Sequence, residues 1–439
     1  MTKPLKSPTK PMKHILSKSS CFGFTVGLLA VMHISANAAN FGDPIPGLTS
    51  SQLADFTTGD NAFYARIEPT NGLGPIFNNR SCANCHFTPN TGGSGSSLVT
   101  LFGRNANGVF DPLISQGGPI LQDNSVSTNY STYNLTNAVD MAGELRSGFP
   151  NTNVLEIIPA NANVIAQHGT MPLYGSGLIE AIPDSEIISN AAVANADNIV
   201  GTVAMVTDPV TGQQKVGRFG WKAQQANLLA FVSEAGNNEI GRTSRFFPIG
   251  NAPNGNVNAY NAMNRRSDPN DNIDGSGKAD IDRIADYLRY LGAPPTVALS
   301  SNALAGKALF SQIGCAICHT PTMTTAANFI PVSDLATVTN TVITALSGQT
   351  VPLYSDLLLH NMGNLNDGIA LGGAATNRMK TPPLWGLAYS APYLHDGRAT
   401  NSIDTAIRLH AGDAAVAATR YINLNATSQS NLLSFLNSL

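Results

Sequence analysis

The sequence predicts a mainly α-helical fold with loops and short strands, organised as two units of the same kind. Three observations carry this. The motif C-x-x-C-H occurs twice, as Cys82-Ala83-Asn84-Cys85-His86 and Cys315-Ala316-Ile317-Cys318-His319, with 233 residues separating the two first cysteines. An apolar stripe at helical spacing closes each half: Ile281, Ile284, Ala285, Leu288 and Leu291 in the first, and the run Asn431 to Leu439 in the second. The chain of 439 residues is 43% hydrophobic and 12% charged, with 40 Gly and 26 Pro, which suits a loop-rich globular protein larger than one ordinary core. That composition excludes a disordered or collagen-like chain. A formal net charge of −3 argues against an electrostatic nucleic-acid binder.

The N-terminus reads as a secretory signal peptide. Lys3, Lys6, Lys10, Lys13 and Lys18 precede an apolar run from Cys21 to Ile34, followed by the small-x-small site Ala36-Asn37-Ala38. The run is shorter than the roughly 20 residues that a membrane span needs, so the reading is cleavage near Ala38 rather than an anchor. No other stretch is long and apolar enough to span a bilayer. The expected mature chain carries 20 basic and 28 acidic residues, a charge of −8, and is periplasmic or otherwise exported. Cleavage also removes Cys21, leaving only the four motif cysteines.

C-x-x-C-H is the attachment signature of c-type haem. Two thiols add to the two porphyrin vinyl groups, and the adjacent histidine turns under the ring to ligate iron. A zinc site or a thioredoxin-like pair would not explain a histidine directly after both pairs. The sequence therefore predicts two covalently bound c-type haems, on Cys82, Cys85 and His86 and on Cys315, Cys318 and His319. No cysteine remains for a disulfide or a reactive thiol.

Helical patterns precede both motifs, with Leu53, Phe56 and Phe63 in the first and Leu304, Leu309 and Phe310 in the second. Gly292 and Pro294-Pro295 end the stripe of the first half and make a linker. The expected division is a signal peptide over 1–38, an N-terminal haem domain over 39–293, and a C-terminal cytochrome c-like haem domain over 296–439. An Asn-, Gly-, Ser- and Thr-rich stretch near 98–166 predicts loops and short strands inserted in the first domain. The acidic segment Asp268 to Asp282 raises calcium as a further ligand. It lacks the glutamate that closes an EF-hand loop, and a helix start with acids in its first turn is the favoured reading.

Several longer blocks carry a resemblance. They are Gly72-Leu73-Gly74-Pro75-Ile76-Phe77-Asn78, Leu178-Ile179-Glu180-Ala181-Ile182-Pro183, Gly217-Arg218-Phe219-Gly220-Trp221-Lys222-Ala223, Tyr354-Ser355-Asp356-Leu357-Leu358-Leu359-His360, Thr381-Pro382-Pro383-Leu384-Trp385-Gly386-Leu387 and Leu394-His395-Asp396-Gly397-Arg398-Ala399. Together with the two haem motifs the sequence resembles the di-haem oxidoreductase family. This family is related to bacterial di-haem cytochrome c peroxidase, to the di-haem enzyme that matures a tryptophan-derived quinone, and to rubber oxygenase. The resemblance implies a reactive N-terminal haem and a six-coordinate C-terminal haem that stores or relays electrons. It implies His86 and His319 as proximal ligands and His410 as the sixth ligand of the second haem, with His360 and Met362 as rivals. Bis-His ligation gives a lower potential than His/Met. Trp221 resembles the tryptophan between the two haems, with core packing as the alternative. Glu239 resembles the acid that moves a peroxide proton between oxygens, with Glu234 as its rival. Arg398 would pair with haem propionates, His395 would orient neighbouring groups, and His168 and Met171 are weaker candidates for closing the first haem. The sequence departs from the pattern before Tyr174, where Gln167-His168-Gly169 replaces an expected arginine.

The resemblance implies a peroxidase-like oxidoreductase that reduces a small-molecule oxidant such as hydrogen peroxide at the first haem. Electrons would come from a small redox-protein donor through the second. An electron-transfer cytochrome without catalysis, and an oxygenase or protein-modifying oxidase, are the alternatives on the same scaffold.

Overall fold

In the computed structural model, which describes residues 40–126, 155–264, 266–335 and 341–439, the chain opens with helix α1, Ser50–Tyr64. The expected leader lies outside the described residues, as does part of the expected insertion. Thr49 starts α1 with a capping box: its hydroxyl accepts from the Gln52 amide, and the Gln52 side chain accepts from the Thr49 amide at 2.9 Å. The following helices are α2 (Ser176–Ala181), α3 (Asp184–Ala191), α4 (Leu228–Ile240), α5 (Val257–Met263), α6 (Asp280–Tyr290), α7 (Ser301–Gln312), α8 (Ile403–Arg408), α9 (Ala415–Ile422) and α10 (Ala426–Leu436). About 34% of the chain is helical, and the strands are few and short.

The strands pair antiparallel throughout. Two-residue ladders join β1 (Ile76–Phe77) to β4 (Asn124–Ser125), β8 (Met323–Thr324) to β9 (Thr350–Val351), and β10 (Leu359–His360) to β11 (Met379–Lys380). A hairpin joins β6 (Met205–Thr207) to β7 (Gln214–Val216). The largest sheet has the order β3-β2-β5 and is built from β2 (Leu98–Ala106), β3 (Val109–Asp111) and β5 (Val164–Gly169). Its long strand buries Leu101, Phe102 and Gly103 in succession, so both faces are covered at its middle, while its ends at Leu98, Arg104 and Ala106 are exposed.

One helix crossing occurs twice. In α1, Gly59 lies so close to α6 that a Cβ there would meet the Arg283 carbonyl at 2.2 Å and the Tyr287 Cβ at 2.7 Å. In α7, Gly306 lies against α10 in the same way, with the Asn431 carbonyl at 2.0 Å and the Phe435 Cβ at 2.8 Å. The contacted pairs have the same spacing, Arg283 and Tyr287, Asn431 and Phe435. Four residues after each glycine stands a buried phenylalanine, Phe63 or Phe310. Phe63 packs on Tyr287 with ring centroids 5.0 Å apart, and Phe310 packs on Phe435 at 5.4 Å. The helix preceding each motif thus crosses α6 at Arg283 and Tyr287, beside its apolar stripe, and α10 within the run Asn431 to Leu439. A glycine is required because only a helix without a side chain there lets the backbones approach this closely.

The largest apolar core draws residues from Ile45 to Trp385 and joins α1, α2, α4 and α6. A second core gathers Phe310, Tyr354, Tyr421, Leu432 and Phe435 around α7 and α10. The described residues belong to one compact unit. No helix among them is long and apolar enough to cross a membrane.

The acidic segment before α6 has no free carboxylate for calcium. Asp268 accepts from Thr243 and Tyr260, and Asp271 accepts from the amides of Asp280 and Ile281. Asp274 binds Ser276 and Arg283, Asp280 binds Arg242 and Arg283, and Asp282 binds Arg245 and the Ala279 amide. These acids start a helix and hold three arginines, so the donor set does not fit a calcium ion.

Candidate functional site

Each C-x-x-C-H motif forms a single 3₁₀ turn, over Cys82–Asn84 and Cys315–Ile317. The turn brings both sulfurs and the next histidine to one side. Each motif lines its own cavity. The first holds about 2040 Å³ of empty space, counted to its open mouth, and the second about 1700 Å³. None of the four cysteines is paired in a disulfide, so all four are available for attachment.

The two histidines share one restraint, and His86 has a second backbone partner in Met171. His86 Nδ1 lies 3.2 Å from the Gly93 carbonyl, and His319 Nδ1 lies 3.0 Å from the Tyr354 carbonyl. A ring nitrogen fixed to a backbone carbonyl leaves Nε2 as the metal-binding atom and sets the tautomer. Phe63 stands 6.2 Å from the His86 ring and Phe310 stands 6.4 Å from the His319 ring, centroid to centroid, so the repeated crossing also buttresses both histidines. Burial lowers the pKa of each histidine to about 4 and keeps it neutral, as a metal ligand must be. Tyr354 adopts φ 53°, a left-handed turn that turns its carbonyl toward His319. For a non-glycine residue this costs on the order of 1–3 kcal/mol. A cavity, two thiols at its wall and a neutral histidine with one oriented nitrogen fit a haem at both places.

His410 lines the second cavity together with His319. Its Nδ1 is bound to the Ala406 carbonyl at 2.7 Å, the arrangement seen in the two motif histidines. Met362 lines this cavity too. His360 does as well, but its Nε2 is taken by Asp356 at 2.8 Å, and its Nδ1 faces Cys318 Sγ at 3.7 Å. Asp356 is fixed by the same turn as Tyr354, through its amide to the Cys318 carbonyl at 2.8 Å.

Helix α4 supplies two acids to the first cavity, Glu234 and Glu239. Asn227 caps its start through the Ala230 amide. Burial pushes both acids up to about 7. Asn78 opposes the shift at Glu239 by donating to Oε2 at 2.9 Å, while Gln225 and Gln224 do so at Glu234. The Asn78 and Asn79 amides also hold the Glu239 carbonyl at 2.8 and 3.0 Å. The block ending in Asn78 therefore positions Glu239.

Trp221 lines both cavities, as do Gly169, Thr170 and Met171. The indole N–H donates to the Gly169 carbonyl at 2.8 Å. Behind it lies a buried network that sequence reasoning missed. Lys222 Nζ donates to Asp367 Oδ1 at 2.8 Å and to the Arg378 carbonyl at 2.5 Å, while His168 Nε2 meets Asp367 Oδ2 at 2.9 Å. Burial acts to raise Asp367, but His168 and the Lys222 ammonium outweigh it and hold the carboxylate low. His395 is buried, with its ring edge-on to both His168 and Trp221 at 5.9 and 6.3 Å. His168 lines the first cavity with its Nε2 already engaged by Asp367. Arg398 is not brought to either cavity: its side chain is exposed and bound to Asp396. A charged side chain that is in a cavity wall and was missed is Lys380, which lines the second.

Two histidine-bearing cavities joined by one tryptophan define a di-haem redox protein. Residues 121–439 match the family described as "Di-haem oxidoreductase, putative peroxidase", and the chain belongs to that family. Among solved structures the chain is similar to hydrazine synthase of Kuenenia stuttgartiensis pressurised with xenon, at 12% identity and TM-score 0.37, over 98% of this chain and 100% of that one. It is also similar to a MauG-like protein associated with microbial copper homeostasis, at 15% identity and TM-score 0.29, over 61% of this chain and 89% of that one. No curated protein matches the chain.

Proposed function

We propose that this protein is an exported, peroxidase-like di-haem c-type oxidoreductase that reduces hydrogen peroxide at the His86 cavity. The observation that carries the reading is the pairing of two unlike cavities through Trp221. One has two acids on α4 whose pKa values are raised to about 7, and the other has His410, whose Nδ1 is fixed to a backbone carbonyl as in the motif histidines. The repeated glycine–phenylalanine crossing supports a cytochrome c-like unit around each motif, with covalent attachment at Cys82 and Cys85 and at Cys315 and Cys318.

A haem bound in each cavity supplies the redox-active iron. The protein residues do the rest. His86 and His319 each offer Nε2 on one side, and His410 offers Nε2 as the second ligand in the C-terminal cavity. The Glu239 carboxylate takes the proton from one peroxide oxygen and returns it to the other, so that this oxygen leaves as water. The net reaction takes two electrons and two protons per peroxide and yields two waters. Trp221 shortens the path between the cavities. A small redox protein with a basic surface supplies the electrons, matching the acidic charge of the chain after leader removal.

Electron paramagnetic resonance of the purified ferric and half-reduced protein tests the reading. The expected result is one centre that cyanide converts to low-spin and one low-spin centre that loses that state in His410→Ala. Two low-spin centres that cyanide alters in neither redox state would leave an electron carrier instead.

A further inference from the structure

The wall of the second cavity is apolar apart from a few groups. Among the described residues no Asp or Glu lines it, and Lys380 is the one Lys or Arg in it. Lys380 is 3% exposed. It sits on β11 opposite Leu359, with its amide donating to the Trp221 carbonyl at 3.0 Å. Among the described residues no hydrogen bond or ion pair engages its ammonium. The nearest charge acting on it is Asp356, whose two oxygens are already occupied by His360 and by the Leu358 amide. The neighbouring buried lysine shows the contrast, since Lys222 is met by Asp367 and two backbone carbonyls. A buried ammonium with no anion is strongly unfavourable. Burial indeed lowers its pKa to about 8.

We propose that Lys380 is the counter-ion of the second cavity and pairs with a propionate carboxylate of the haem held by His319. This rests on the reading of that cavity as a haem site. The cavity wall offers no carboxylate, so the anion comes with the occupant, and the propionates are the haem's anionic groups. Lys380 itself is tied to Trp221 through its backbone amide, so the pairing would connect the haem's carboxylate to the segment that lines both cavities. It takes the part that sequence resemblance gave to Arg398, which is already paired with Asp396.

A cation beside a haem favours the reduced state, which carries one positive charge less. Spectroelectrochemistry of the holoprotein therefore tests the assignment. Lys380→Met is expected to shift the midpoint potential of the second haem downward and leave that of the first nearly unchanged, while Lys380→Arg keeps both. If Lys380→Met does not accumulate, Lys380→Gln removes the same charge, keeps a donor, and is expected to shift the potential the same way. An unchanged second-haem potential in a charge-removing variant that carries both haems overturns the proposal. The mass of the intact wild-type protein separates the two readings: a mass lacking the second haem overturns the site itself rather than the role of Lys380.

Discussion

Glu239 and Glu234 sit on one helix and have similar raised pKa values, yet they are held by different partners. Glu239 is tied through both its carbonyl and its carboxylate to the Asn78 segment beside the first motif. Glu234 is tied to glutamines next to Trp221. In the proposed reaction this difference selects Glu239 as the residue to handle the peroxide proton. To accept that proton it must be ionised. A carboxyl raised to about 7 is protonated below that value, so turnover should rise as pH increases through about 7. Glu239→Gln should lower peroxide turnover by about 10²- to 10⁴-fold and abolish that rise, as steady-state rates against pH would show. A variant that keeps the wild-type profile would transfer the role to Glu234.

The helices carry the strongest regularity of the molecule, and much of it was legible in the sequence. Apolar spacing located α6 and α10, and the patterns before each motif located α1 and α7. The pairing of α1 with α6 and of α7 with α10 was not legible, because it depends on Gly59 and Gly306, and a glycine inside a helical pattern looks like a weakness. Its reason appears only when the partner backbone is placed against it. Gly59→Ala and Gly306→Ala should each destabilise the protein by about 1–3 kcal/mol through overpacking, measured by denaturant unfolding of the holoprotein. A loss confined to one variant would mean that the two crossings are not equivalent. Other features depend in the same way on residues distant in the chain. Lys222 and Asp367 are 145 residues apart and reveal nothing to each other along the chain. The left-handed Tyr354 lies in a block whose individual residues give no hint of the turn that aims its carbonyl at His319.

At the scale of the whole molecule, the two motifs and the blocks around Trp221 and His395 pointed to two redox sites. They did not show that the cavities share a wall. Trp221→Phe keeps an aromatic filler but removes the oxidisable indole. It should slow electron arrival at the first haem after rapid reduction of the second, while both midpoint potentials stay in place. Stopped-flow absorbance during peroxide addition would register this, and unchanged kinetics would make Trp221 a packing residue. The repeated crossing has another consequence. The segment closed by the first crossing, from Gly59 to Tyr287, is 228 residues, whereas that from Gly306 to Phe435 is 129. Chain-closure entropy grows only with the logarithm of length, so the longer loop costs just about 0.5 kcal/mol more. The first half has therefore been free to grow a sheet, the acid-bearing α4 and the wall of a larger chamber between two helices whose meeting point is retained. A site for chemistry can be enlarged in this way with little thermodynamic resistance, while the compact second half keeps to the shorter circuit.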